Sequence, residues 1–336
     1  MSKHKLRDLL TKVKRPGKIQ VSQYLEEGDY PIIDQGQLPI AGYTNDSDLV
    51  LREPLPITIF GDHTRIVKFS KEPFACGADG TQLLYPKSEQ IDPTFFYYAV
   101  KNIGLSNYFY ARHFKFLKEQ EIEIPNNLGT QRRIASILSA YDDLIENNRR
   151  RIQLLEQAAR LLYKEWFVHF RFPGHEHTKI INDLPEGWEK KRLCDISDIT
   201  MGQSPKSIFY NTDGIGLPFH QGVTNFGFRF PAHEVYCTVQ NRIAEAGDIL
   251  FSVRAPVGRI NFNLDKIVIG RGLAAIRSNC GQQNFLFYAL KSYFFKGDMM
   301  GGGAIFAAIT KDDLYNVELI LPHDYLIEMF MDHSQP

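Results

Sequence analysis

The chain offers little to a secreted, membrane-bound or metal-dependent reading. Its four cysteines, Cys76, Cys194, Cys237 and Cys280, stand far apart and make no CxxC pair, which argues for free thiols in a reducing compartment and against a zinc site. No apolar run approaches the roughly 18 residues that span a bilayer. The opening Met1-Ser-Lys-His-Lys-Leu-Arg7 lacks the apolar core of a secretory signal. Net charge is absent too: 39 Lys plus Arg stand against 39 Asp plus Glu, which excludes a simple polycation that coats nucleic acid but leaves room for a local basic face. Catalytic signatures are missing in the same way. There is no GxxxxGK loop for nucleotide phosphates, no HExxH zinc pair, and no Pro-Pro of the kind an amino-methyltransferase uses to hold its target amine. Phe74-Ala-Cys-Gly-Ala-Asp-Gly80 has the glycines of a cofactor loop but not the strand–helix setting, and reads as a turn. Asp62, Glu72 and Asp79 lack a lysine at nuclease spacing. What remains is an ordinary folded composition, 43% hydrophobic and 23% charged, and the expectation is a cytoplasmic, non-catalytic protein of two to three domains.

One segment carries a strong period. Ile134, Leu138, Tyr141, Ile145, Asn148, Ile152, Leu155, Ala159, Leu162 and Trp166 follow one another in alternating steps of four and three. That is the 3.5-residue repeat of a coiled-coil seam rather than the wider stripe of a helix lying on a globular core. No Gly or Pro interrupts residues 131–171, Thr130 is placed to cap the start, and Pro173-Gly174 stops the helix. About 39 helical residues span roughly 58 Å, too long for one small domain, so the helix should connect domains or pair with another helix. Asn148 in the seam either fixes the register of a partner or faces solvent.

The flanking regions repeat one another. Strands are expected at 56–62, 65–69 and 81–85, a helix at 93–101 and a strand at 121–125; the second copy runs 247–253, 258–262, 273–277, helix 284–291 and strand 317–322. Each copy reads β-β-β-α-β, a mixed α/β (α+β) fold. The expected plan is a first domain over 1–128, a spacer helix over 129–170, a hinge over 171–183, a second domain over 184–322, and the start of a second spacer helix over 323–336.

Several of these motifs together resemble the specificity subunit of Type I restriction–modification systems, over essentially the whole chain. The residues that carry the likeness are Thr130-Gln-Arg-Arg-Ile-Ala-Ser-Ile-Leu through Leu162-Tyr-Lys-Glu-Trp-Phe167, Leu184-Pro-Glu-Gly-Trp-Glu189 with Gly202-Gln-Ser-Pro205, and Phe60-Gly-Asp-His-Thr-Arg65 beside Gly247-Asp-Ile-Leu-Phe-Ser-Val-Arg254. The resemblance implies two target-recognition domains that each read half of a split DNA site, and helices that space them and dock modification (methyltransferase) subunits. Restriction (motor and endonuclease) subunits join through the complex. S-adenosylmethionine, ATP and Mg would then belong to partner chains, and this chain would need no cofactor or metal of its own and no membrane. Two departures stand out: the first copy lacks the Pro-x-Gly-Trp seen at Pro185-Glu-Gly-Trp188, and the second spacer helix stops after its first turns. By the family pattern that leaves a truncated chain, or a seam covered by another protomer.

Base reading in the major groove calls for Arg or Lys toward guanine and Asn or Gln toward adenine, on loops that reach inward. In the first copy His63, Thr64, Arg65 and Lys68 are candidates, with the aromatic–basic cluster Tyr108, Tyr110, Arg112, His113 and Lys115. In the second they are Gln203, Ser204, Lys206, His220, Gln221, Asn225, Arg254, Arg259 and Arg271. Any one of these cations also reads as a solvated surface charge, and the basic leader from Lys3 to Lys18 as either a phosphate-contacting arm or a solvated terminus. The stripe Phe95, Phe96, Tyr97, Tyr98 fits a core better than a stacking platform. The competing function is a coiled-coil assembly scaffold without sequence-specific DNA binding.

Overall fold

The structure, a computed structural model, describes residues 2–77, 80–106, 112–294 and 308–334. The chain divides into two compact units, Met1–Asn148 and Arg149–Pro336, each with its own core.

In the first unit the strand Ile57–Gly61 is buried at every position. Apart from Thr58 the run is apolar, because both faces are covered, as in an interior strand. Ile57 and Ile59 pack into one cluster with Ile33, Leu51, Phe74 and Cys76, while Phe60 joins Leu84, Phe95, Phe96 and Val100 in another. It lies in an antiparallel sheet ordered Leu10–Thr11, Thr81–Pro86, Ile57–Gly61, Val67–Ser70. A second sheet, ordered Gly42–Thr44, Tyr30–Ile33, Phe74–Cys76, Val50–Leu51, contains one parallel pair, Tyr30–Ile33 with Phe74–Cys76. The helix Pro93–Lys101 starts as proline at its first turn and Asp92 at its cap dictate: the Asp92 carboxylate accepts from Thr94 N at 3.0 Å and Phe95 N at 2.9 Å. Phe95, Phe96 and Tyr97 are buried.

The second unit repeats this plan. Its antiparallel sheet is ordered Ser197–Met201, Leu273–Ser278, Ile249–Ser252, Ile260–Phe262, and its second sheet again holds one parallel pair, Leu217–His220 with Ile267–Ile269. Each unit also has a two-stranded ribbon, Ser2–Lys5 with Glu121–Ile124 and Glu189–Arg192 with Glu318–Leu321. The repeat extends to single hydrogen bonds. Asp62 N donates to Gly80 O at 2.7 Å where Val253 N donates to Gly272 O at 3.0 Å, and Gly77 N to Ile33 O at 3.0 Å where Gly270 N donates to His220 O at 2.8 Å. Gly61 N donates to Ile66 O at 2.8 Å and Ser252 N to Arg259 O at 2.9 Å.

The spacer helix runs Leu128–Tyr163 and continues as a five-residue π-helix, Lys164–Val168. Its cap is Asn127, not Thr130: the Asn127 side chain accepts from Thr130 N at 3.1 Å, so Leu128 and Gly129 are already helical. At its start Gln131, 1% exposed, donates to Gln90 O at 2.9 Å and Pro125 O at 2.8 Å and accepts from Asp92 N at 2.9 Å. Gln131→Ala leaves these backbone groups without partners and should destabilise the first unit by about 2 kcal/mol; urea unfolding measures it, and an unchanged midpoint would sink the assignment.

The helix's other end is sealed. Ala159, Tyr163, Trp166 and Phe167 join a core with Phe285, Tyr288 and Trp188, covered by Leu326, Ile327 and Phe330 of the helix Asp324–Ser334. So Ala159, Leu162 and Trp166 of the seam are packed, and Ile134 sits against the first core. Between them the seam is bare: Leu138, Tyr141 and Ile145 in the first unit and Ile152 and Leu155 in the second are 38–63% exposed. Asn148 is exposed as well.

One local expectation needs correction, and two segments take definite form. The strand expected at Arg65 begins at Val67, because Arg65 sits at φ 64° in the turn; Gly258, at the matching place in the second unit, has φ 85°. The basic leader starts as a strand, Ser2–Lys5, with Lys3 3.4 Å from Glu123 and Arg7 2.8 Å from Glu119. The 171–183 segment holds a short 3₁₀ turn, His175–His177, and half of a hairpin between Ile180–Ile181 and Leu184–Pro185.

Candidate nucleic-acid interface

In the second unit the parallel strands Leu217–His220 and Ile267–Ile269 end side by side, and both run into loops there. Gln221 follows the first and Gly270-Arg271-Gly272 the second. The loops are tied together: Gly270 N donates to His220 O, and Gly272 N to Gln221 O at 3.1 Å. The Ser204 hydroxyl donates to Gln221 Oε1 at 2.8 Å and accepts from Arg271 N at 3.1 Å. A cleft of about 220 Å³ opens beside them, lined by Gln221, Gly222, Ser252, Arg254, Arg271 and Gly272 among others. Glycine is required here by packing, since a Cβ on Gly272 would lie 2.4 Å from Gln221 O and one on Gly202 2.2 Å from Gly270 O.

The fold therefore brings Ser204, Gln221, Arg254 and Arg271 to one place. Gln203 is adjacent, exposed, its N–H donating to Ile269 O at 3.0 Å. Lys206 is exposed outside the cleft lining, Asn225 is half-buried with its carbonyl accepting from Ala232 N, and Arg259 is exposed on the neighbouring turn. His220 is different in kind. It is 4% exposed, and its Nε2 lies 2.8 Å from His233 Nδ1, whose ring in turn reaches Asp265 at 3.0 Å through Nε2. Burial first, and the facing His233 second, push His220 down to about 4, so the ring behind Gln221 is neutral at physiological pH.

The matching place in the first unit carries other chemistry. Asp34, one residue beyond Ile33, stands where Gln221 follows His220, and Lys68 reaches it at 3.5 Å. Burial pulls the Lys68 amine down while the Asp34 carboxylate works against that. His63 and Thr64 are exposed, with His63 N donating to Gln35 Oε1 at 3.1 Å and the Thr64 hydroxyl to Gln35 O at 2.6 Å. Arg65 donates to Leu105 O at 3.0 Å. Arg112 is exposed, Lys115 is exposed over the Phe116 ring, and His113 is buried, its backbone N–H donating to Asp62 O at 2.8 Å. Tyr108 lies outside the described residues.

Sequence reading passed over Asp34, Gln35 and Ser252. A signal for the first two was present: Pro31-Ile-Ile-Asp-Gln-Gly36 and Pro218-Phe-His-Gln-Gly222 both end a strand in Gln-Gly. Among the described residues no helix is long and apolar enough to cross a membrane, and no group of three metal-ligating side chains gathers.

The family model for the Type I restriction modification DNA specificity domain matches residues 1–157 and 185–325. A Methanocaldococcus jannaschii protein, described as a candidate type I restriction enzyme MjaX specificity subunit, is 36% identical over 71% of this chain and 60% of its own length. The MjaIX specificity subunit of the same organism is 25% identical over 80% of this chain and 67% of its own length. The chain thus spans about 60% of the first of these relatives. The crystal structure of a Type I restriction–modification S subunit from M. genitalium aligns with 99% of this chain and 87% of its own, at TM-score 0.59 and 18% identity, a likeness of fold. With both halves of the chain matched and the same two-domain plan on either side of a long helix, the chain belongs to the Type I restriction–modification DNA specificity family.

Proposed function

We propose that each unit reads one half of a bipartite DNA site, and that the chain, itself non-catalytic, directs methyltransferase and restriction subunits to it in the cytoplasm. S-adenosylmethionine, ATP and Mg then act in those partners. The observation that carries this reading is a conserved frame with divergent tips. The two units share hydrogen bonds strand for strand, yet an Asp34–Lys68 pair stands at the loop ends of one and Gln221, Arg254 and Arg271 at those of the other. A scaffold gains nothing from such divergence, whereas two unlike half-sites require it. Mapping adenine methylation across a genome after co-expression with the modification subunit should return a two-part, gapped motif. Methylation with no sequence preference would defeat the reading.

The bare seam supports a docking role for the helix. Side chains of this size left exposed in a row mark interaction surfaces. Partners are the modification subunits or a second copy of the chain. Leu155, 55% exposed, is the informative position. Leu155→Asp should leave the unfolding midpoint within about 0.5 kcal/mol of the parent, as exposed substitutions do, while weakening assembly at least tenfold in analytical ultracentrifugation with the modification subunit. Intact assembly would remove the seam from the interface.

A further inference from the structure

The cleft of the second unit has a chemical bias that goes beyond carrying polar residues. Its side-chain acceptors are few, and each already takes a hydrogen bond. Gln221 Oε1 is taken by the Ser204 hydroxyl, which leaves the amide Nε2 to donate. Ser252 is spent as well, donating to Pro256 O at 2.6 Å and accepting from Arg259 N at 3.0 Å. Arg254 and Arg271 are exposed, and among the described residues neither forms an ion pair and no Asp or Glu lines the cleft. Several other arginines of the unit are paired, among them Arg277 with Asp248 at 2.6 Å and Arg192 with Asp195 at 3.0 Å. Among the described residues the free side-chain groups of the cleft are thus mainly donors, which favours a ligand that presents acceptors.

The two arginines are held differently. Arg271 lies between Gly270 and Gly272, whose backbones pack against Gln221 too closely for a Cβ, and its own N–H is fixed on Ser204. Its backbone is therefore pre-positioned, as a specificity contact requires. Arg254 opens the turn after Val253, whose N–H donates to Gly272 O at 3.0 Å, and it has no glycine on either side. A guanine offers two adjacent acceptors, O6 and N7, on its major-groove edge, which match a guanidinium bidentately, while adenine, with a donor at N6, does not.

We propose that Arg271 reads the O6/N7 edge of one guanine in the half-site bound by the second unit, with Gln221 as a supporting donor and Arg254 on the adjoining phosphate. This rests on the DNA-reading function proposed above and narrows it to a base. The matching place in the first unit holds a carboxylate, Asp34, and does not share the preference.

The test uses the full complex with its modification subunits. Once methylation mapping has given the motif, each guanine is replaced in turn by 7-deazaguanine, which lacks the N7 acceptor, and binding is titrated at several salt concentrations. One guanine in one half-site should be sensitive, with affinity falling about 5- to 150-fold. In Arg271→Ala, an exposed position whose backbone N–H stays on Ser204, that same replacement should no longer matter, and methylation should relax at that base alone. Arg254→Ala should weaken all sequences alike and lower the salt slope by about one. Three results would overturn the proposal: no guanine in the half-site that Arg271→Ala affects, no sensitivity to 7-deazaguanine there, or a uniform, salt-linked loss in Arg271→Ala, which makes Arg271 a phosphate contact. Failure to find any gapped motif in the parent complex would instead defeat the DNA-reading function itself.

Discussion

Glu156→Ala should destabilise the second unit by about 3–5 kcal/mol, the cost of leaving one partner of a buried ion pair alone. Glu156 sits on the spacer helix one residue past Leu155 of the bare seam. In the folded unit its side chain is 11% exposed and pairs with Arg229, 13% exposed. The Tyr288 hydroxyl donates to Glu156 Oε2 at 3.1 Å, and the Arg229 guanidinium lies 4.7 Å over the Phe262 ring and 5.4 Å over Phe287, and donates to Asn284 Oδ1 at 3.3 Å. Removing the carboxylate leaves a desolvated guanidinium among aromatic rings. Exposed pairs such as Lys3–Glu123, with both side chains more than half exposed, should cost at most about 1 kcal/mol when broken. Denaturant unfolding of Glu156→Ala and Lys3→Ala in parallel separates the two cases. A double replacement, Glu156→Leu with Arg229→Met, should recover most of the loss, since well-packed apolar groups substitute for a buried pair at little cost. Equal small losses in both single variants would place Glu156 in water.

Glu156 also shows where the sequence stops being legible. Periodicity along one element was readable: the seam, the helix Pro93–Lys101, and the strands around Ile57–Gly61 and Ile249–Ser252 all lie where their apolar spacing puts them. Duplication was readable because five elements recur in order. The second sheet of each unit was not, since Tyr30–Ile33, Phe74–Cys76 and their counterparts are three- to four-residue strands, too short to carry a period against their turns. Their parallel pairing joins residues 43 and 49 positions apart, Ile32 with Ala75 and Phe219 with Val268, in a way no local pattern encodes. The candidate site was legible as loops and as residue types, but not as a constellation. Ser204, Gln221 and Arg271 are scattered in sequence, and only the parallel pair brings them together. Whether a histidine is buried was equally out of reach: His63, on its turn, is exposed, and His113 and His220 are inside.

His220 should make the second unit lose stability as pH falls from about 6.5 toward 4. The sign follows from proton counting. In the unfolded chain a histidine takes up its proton near 6.5, whereas in the fold burial and the facing His233 hold His220 down to about 4. Between those values the unfolded state binds the extra proton and the native state does not, so stability rises with pH through this window, is complete above it, and is lost on acidification. The full span amounts to roughly 3 kcal/mol. The loss has a structural address. His220 O accepts from Gly270 N at 2.8 Å and its ring contacts His233, so a charged His220 would disturb the loop that carries Gln221 and Arg271. In the first unit the corresponding residue is Ile33, which cannot titrate. Hydrogen exchange at Gly270 N–H should therefore accelerate between pH 6.5 and 4.5 beyond the intrinsic pH trend, while Gly77 N–H, bonded to Ile33 O at 3.0 Å, follows that trend alone. His220→Asn, which keeps a side-chain donor toward His233 but cannot be protonated, should flatten the pH dependence at Gly270. An unchanged slope in that variant would assign the acid sensitivity to other groups.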